Sequence, residues 1–214
     1  MSGILAITMA AESDWTIRPL KGLGRLEFGM SPAHVDALSA TYGTIAGRGP
    51  DRIPDDMLRE TLEIFGDALS DDEKQALIAA YESDGPTADS VTEIRGELVL
   101  RYEADRLCEI MPAGTRHPLL LDGRDVFALR GREPLELLER LNGGPGRYAG
   151  TEAAFDNIAI SLDGFCVSDA PSGVLTLDES DERFRGRTAT LRAVPYRPEQ
   201  EMHRYVLHSV AGSQ

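Results

Sequence analysis

The stretch Trp15-Thr16-Ile17-Arg18-Pro19-Leu20-Lys21-Gly22-Leu23-Gly24-Arg25-Leu26-Glu27-Phe28-Gly29-Met30-Ser31-Pro32 constrains the fold most, because two structural periods meet inside it. Leu26 and Phe28 alternate with Arg25 and Glu27, the pattern of a half-buried strand. Gly22 and Gly24 permit a tight bend, since a residue without Cβ enters positive φ without a clash. Ser31 predicts a helix N-cap, and Pro32 sits at the first helical position, where no N–H is missed. Val35, Leu38 and Tyr42 follow at helical spacing, and Gly43 ends the helix.

The pattern returns about one hundred residues later. Glu133-Pro134 begins a helix with Leu135, Leu137, Leu138 and Leu141 on its inner side, stopped by Asn142-Gly143-Gly144-Pro145-Gly146. Each helix is followed by a β-hairpin pattern. One runs Leu98–Tyr102 and Leu107–Ile110 about Glu103-Ala104-Asp105, the other Ile158–Leu162 and Phe165–Val167 about Asp163-Gly164. Ahead of the second helix, an apolar run from Pro118 to Leu121 ends at Asp122-Gly123, and Val126, Phe127 and Leu129 predict a short strand. The expectation is an α+β fold whose antiparallel sheet comes from two weak strand–helix–hairpin repeats, in a single domain over 1–214. Repeat one covers about 15–112, repeat two about 118–194, and a tail 195–214 follows. Gly173–Leu177, Thr188–Val194 and an edge at Tyr205–Leu207 predict further strands, while Thr44–Pro50 reads as loop.

The first repeat is interrupted over 51–93. Met57, Leu58, Thr61, Leu62 and Phe65 stripe a helix behind Asp55 and Asp56. Ser70-Asp71-Asp72-Glu73 is a capping box opening a second helix, with Ala76, Leu77, Ala80 and Tyr81 on one face. This acidic helical hairpin holds thirteen acids against Arg52, Arg59 and Lys74, a net −10 of the chain's −14. Such a run serves as a solvated face or as an electrostatic docking surface for a cationic partner. The second reading places the contacts at Asp55, Asp56, Glu60, Glu63, Asp67, Asp71 and Asp72.

Net charge of this sign opposes non-specific binding to nucleic acid or anionic lipid. The apolar start from Ile4 to Ala11 is far shorter than the ~20 residues of a membrane span. No nucleic-acid or membrane partner is therefore expected. Cys108 and Cys166 make no metal spacing and suit a reducing compartment, so a cytoplasmic location is expected.

Catalytic patterns are missing from the sequence. His34, His117, His203 and His208 fall at no zinc-like spacing, and no G-x-S-x-G occurs. Gly22-Leu23-Gly24 lacks the third glycine and helix of a dinucleotide loop, and the glycines after Asn142 follow a helix instead of opening one. Asp84 to Asp89 lacks the acids of a calcium loop. No enzyme activity, no cofactor and no metal are expected.

Ile17-x-Pro19, Gly22-x-Gly24 and Phe28-Gly29-Met30-Ser31, with Val35 in the helix behind, resemble the opening of immunity proteins from bacterial polymorphic toxin systems. The same residues are similar to the strand–GMS/T–helix repeats of β-lactamase-inhibitor-type and small outer-membrane lipoprotein domains. The chain departs from the lipoproteins in lacking a lipidated cysteine near its start, and from the inhibitors in its acidic insertion and its lack of paired disulfide cysteines. The resemblance implies a non-enzymatic inhibitor that binds and neutralises a cognate toxin domain one to one. The charge adds that this toxin is basic, as a nuclease is around its phosphate site. The alternative is an enzyme or small-ligand-binding protein with a site between the two repeats, marked by a closed apolar pocket with convergent polar groups.

Overall fold

The opening stretch folds into three two-residue antiparallel strands, β1 (Ile17–Arg18), β2 (Gly22–Leu23) and β3 (Leu26–Glu27). A Cβ on Gly22 would lie 2.0 Å from the Leu26 carbonyl oxygen, and one on Gly24 2.0 Å from that of Asp14. Only glycine lets the backbone close this tightly. Ser31 caps α1 (Pro32–Asp36), its Oγ accepting from the His34 N–H, and α2 (Ser39–Tyr42) ends at Gly43 with φ 89°. The helix expected over this span is broken in two, because the Ser39 hydroxyl donates to the Asp36 carbonyl and competes with the ladder there. Val35 and Tyr42 still reach the core, as the spacing required.

The computed structural model describes residues 13–52, 55–64, 69–84, 87, 89–112, 116–169, 173–197, 199 and 201–210. After α2 come β4 (Ile45–Pro50), α3 (Asp55–Ile64), α4 (Asp71–Asp84), β5 (Val91–Arg95), β6 (Leu98–Glu103) and β7 (Arg106–Pro112). A two-stranded ribbon, β8 (Leu120–Leu121) and β9 (Arg124–Asp125), precedes α5 (Glu133–Asn142). Then follow β10 (Gly146–Phe155), β11 (Ile160–Asp169), β12 (Gly173–Thr176), α6 (Glu182–Arg185), β13 (Thr188–Arg192) and β14 (Val206–His208). The fold is α+β. Among the described residues, nine strands make one antiparallel sheet in the order β14-β10-β11-β13-β7-β6-β5-β4, with β12 beside the far end of β11.

Register explains which face is core. Glu93, Leu100, Ile110, Leu191, Ile160 and Phe155 stand opposite one another across six strands, each buried. Directly opposite residues share a face, so this row, with Val35, Leu135 and Leu138 from the helices, forms the core. The adjacent row, Thr92, Arg101, Glu109 and Arg192, lies on the other face.

Four further expectations fail for identifiable reasons. Thr44–Pro50 is not a loop: it pairs with β5 as an edge strand, where the missing Pro50 N–H and the flexible Gly47 and Gly49 are tolerated. Val126 to Leu129 is a turn, because the Asp125 carboxylate accepts from the Leu119 and Phe127 N–H groups and closes the chain on itself. Asp163-Gly164 is not a hairpin turn; it lies within β11, and the true turn lies at 156–159, where Phe155 faces Ile160. A register shift at Gly150/Glu152 absorbs the extra residues. The insertion is also shorter than 51–93, since β5 belongs to the sheet.

Candidate functional site

Two places gather charge without being spent on the core. The first is the helical hairpin between β4 and β5. Its base is clamped: the Asp51 N–H donates to the Ser90 carbonyl at 2.9 Å, and the Ser90 and Thr92 hydroxyls donate to the Asp51 carboxylate at 3.2 and 2.9 Å. The Arg52 guanidinium lies 5.1 Å from the Tyr81 ring centroid. The capping box forms as its spacing required, Ser70 donating to Glu73 from both N–H and hydroxyl, which holds the Glu73 carboxyl below the usual range.

The inner faces differ from expectation. Met57, Ala76 and Leu77, assigned inward by pattern, are exposed, while Leu58, Leu62, Ile78 and Tyr81 are half-buried. With no third layer over it among the described residues, a two-helix appendage covers only a narrow strip per helix. Met57, Ile64 and Leu77 are 55%, 74% and 48% exposed.

Glu60, Glu63, Asp71 and Asp72 are exposed beside these apolar side chains, and Asp71 pairs with Lys74 at 3.5 Å. Asp55 and Asp56 head α3, with side chains outside the described set, and Asp67 lies outside the described residues. The structure thus keeps Glu60 and Glu63 on one helix and Asp71 and Asp72 on the next.

The second place is a cleft of about 260 Å³ on the open face of the sheet, where β7 meets β13. Its floor is the cross-strand ladder Arg101–Glu109–Arg192. Arg192 donates to Glu109 at 2.7 Å and to the Ser161 hydroxyl at 2.8 Å; Arg101 reaches Glu109 at 3.5 Å and pairs with Glu103. The segment 194–197 forms the roof. Sequence reasoning missed this site. The outward phase of Arg101 and Glu109 was readable, but nothing in the sequence pairs β7 with β13.

Nucleophilic chemistry finds little support among the described groups. Burial pushes the Cys108 thiol up to about 11 and the Cys166 thiol up to about 12, so both stay protonated at neutral pH. His117 stacks on Trp15 with centroids 4.4 Å apart, and the His34 Nδ1 lies 2.9 Å from the Ser31 hydroxyl. Among the described residues no three of His, Cys, Asp and Glu cluster to hold a metal, and no helix is long and apolar enough to cross a membrane. No family model, curated protein or solved structure matches the chain significantly.

Proposed function

We propose that this chain is a protein-binding inhibitor of the immunity type, which neutralises a basic toxin domain through its acidic helical hairpin. One observation carries the reading: Met57, Ile64 and Leu77 are exposed on the same two helices as the exposed acids Glu60, Glu63, Asp71 and Asp72, on an appendage clamped to the sheet at its base. Met57 and Ile64, seven residues apart, share one face of α3, and exposed apolar side chains grouped on one face and rimmed by charge mark interaction sites. An interface uses both, apolar anchors for affinity and surrounding charge for steering and partner choice. Asp55, Asp56 and Asp67 belong to the same proposed surface by sequence. The resemblance of the opening motif to immunity proteins supplies the toxin. The junction cleft is open and charged, not the closed apolar pocket that would favour an enzyme.

Co-expression with the product of the neighbouring gene tests this. The wild-type chain is expected to restore growth of a host poisoned by that product. Reversing Glu60, Glu63 and Asp72 to Lys should leave the melting temperature nearly unchanged, because exposed charges contribute little to stability. Association should slow at least tenfold at low salt, with dissociation less affected. Full protection by the reversed variant would remove the hairpin from the interface, and a harmless neighbour would remove the toxin.

A further inference from the structure

We propose that the hairpin receives a basic amphipathic helix of its partner, laid against α3 and α4 as the third helix of a small bundle. This rests on the reading of the hairpin as the interface and names the element that docks there. The two helices pack on each other and run antiparallel. Arg52, just ahead of α3, lies over Tyr81 near the end of α4, and Asp51 is bonded to Ser90 at the base. At about 100° per residue, exposed Met57, Thr61 and Ile64 fall within about 60° of one another on α3. Half-buried Leu58 and Leu62 form a separate, inner stripe, as Ile78 and Tyr81 do on α4 beside exposed Leu77. In both helices the exposed residue comes one position before a half-buried one, Met57 before Leu58 and Leu77 before Ile78. Each outer stripe is therefore turned the same way from its inner stripe. In antiparallel helices that brings both outer stripes to one side of the pair, as a shallow trough with Met57 and Ile64 on one wall and Leu77 on the other.

The chemistry of the trough selects its occupant. Exposed Glu60 borders the α3 stripe about 40° from Ile64, and exposed Glu73 lies about 40° from Leu77 on α4. Ser70 holds Glu73 in place. The bases point elsewhere: Arg59 lies at least about 140° round α3 from the stripe, and Lys74 is half-buried and paired with Asp71. Among the described residues the trough thus has an apolar floor and acidic rims on both sides. A helix with an apolar stripe flanked by Lys and Arg complements both features, whereas an acidic helix is repelled. The backbone bonds of α3 and α4 are spent internally, so neither offers an edge to a strand, and a third helix supplies the layer that a two-helix appendage lacks. With α3 ten residues long, about 15 Å, the occupant needs about three turns, with anchors at i, i+3 or i+4, and i+7.

A synthetic peptide of about 16 residues, with Leu at those anchors and Lys on both flanks, is titrated into the ¹⁵N-labelled full-length protein. Amide shifts confined to α3 and α4, a Kd below about 100 μM at low salt and a gain of helical circular dichroism on mixing are expected. A peptide of the same composition with its Leu stripe scrambled should bind about tenfold more weakly or worse, and one with Glu in place of Lys should leave the spectra unchanged. Ile64→Ser with Leu77→Ser should weaken the first peptide at least about tenfold without altering the charge. Should that double variant lose the hairpin's helices, Glu60→Lys decides, because its exposed side chain borders the trough and an acid-to-base change there repels the Lys flank. Equal binding of the scrambled peptide, shifts outside the hairpin, or unchanged affinity in a folded variant would overturn the proposal. The product of the neighbouring gene, titrated in the same way, separates the two readings. Shifts on α3 and α4 from that product without any from the peptide overturn the helix alone, and their absence from both overturns the interface as well.

Discussion

At the scale of the residue, the most consequential group is the buried ion pair that ends the core row. Glu93 and Arg95 have fully buried side chains, and Arg95 donates to Glu93, Asp36, the Ser39 hydroxyl and the Gly43 carbonyl. It therefore pins both short helices to β5. Burial, with Glu93 adding to it, pushes the Tyr102 hydroxyl well above its ordinary value. Arg95→Ala is expected to cost ~3–5 kcal/mol in urea unfolding, since it leaves the buried Glu93 carboxylate with only the Tyr102 hydroxyl at 3.4 Å and the Arg48 guanidinium at 4.0 Å. Replacing Glu93 and Arg95 together by Met should recover much of that loss; a double variant worse than the single one would contradict this account. A second pair sets a pH dependence. Burial alone would raise the Asp156 carboxyl, but hydrogen bonds from Arg147 and then Arg197 outweigh it and hold it below the usual range. A folded value below the unfolded one stabilises above about pH 4 and is lost as pH falls through the folded value. Asp156→Asn should thus cost ~2 kcal/mol at pH 7 and flatten the acid limb of a stability–pH curve, an effect absent if the pair contributes nothing.

At the scale of the element, the hairpin is an insertion between neighbouring strands, because its two ends are hydrogen-bonded to each other through Asp51 and Ser90. Replacing residues 52–89 by a two-residue Asn-Gly turn should leave a folded sheet, as such a turn suits an antiparallel pair and loop length changes closure entropy little. A cooperative urea transition within about 1 kcal/mol of wild type is expected. Extending the cut to residue 93 should abolish folding, because it removes Glu93 and most of β5. Loss of cooperativity in the shorter deletion would make the hairpin part of the core.

At the scale of the whole molecule, β7 and β13 join the two ends of the sheet through only two register pairs, Leu191–Ile110 and Arg192–Glu109. The opening motif makes a second link, the Leu120 N–H donating to the Trp15 carbonyl at 3.0 Å. Trp15 is the sole tryptophan, so its fluorescence reports that link. Leu191→Ala should cost ~2–5 kcal/mol through the cavity it leaves. Fluorescence and far-UV circular dichroism should still coincide in a single transition. Two separated transitions would divide the chain into independent units.

What the sequence determined by itself was local. Ser31-Pro32, the Ser70–Glu73 box, the Leu-rich stripe of α5 and the β6–β7 alternation are satisfied within one or two turns of chain, and each forms where its residues said. Only the tertiary structure decided the partners of strands distant in sequence. Asp163-Gly164 has the chemistry of a turn, yet pairing with β10 and β13 up to Asp163 and with β12 from Cys166 keeps it inside a strand. Gly47, Gly49 and Pro50 read as loop until β5 supplies a ladder beside them. Glu93 reads as one acid among thirteen until Arg95 and the helices above it close off solvent. The junction cleft depends on the same step, because a side-chain period tells which face a residue takes but not which strand lies next to it.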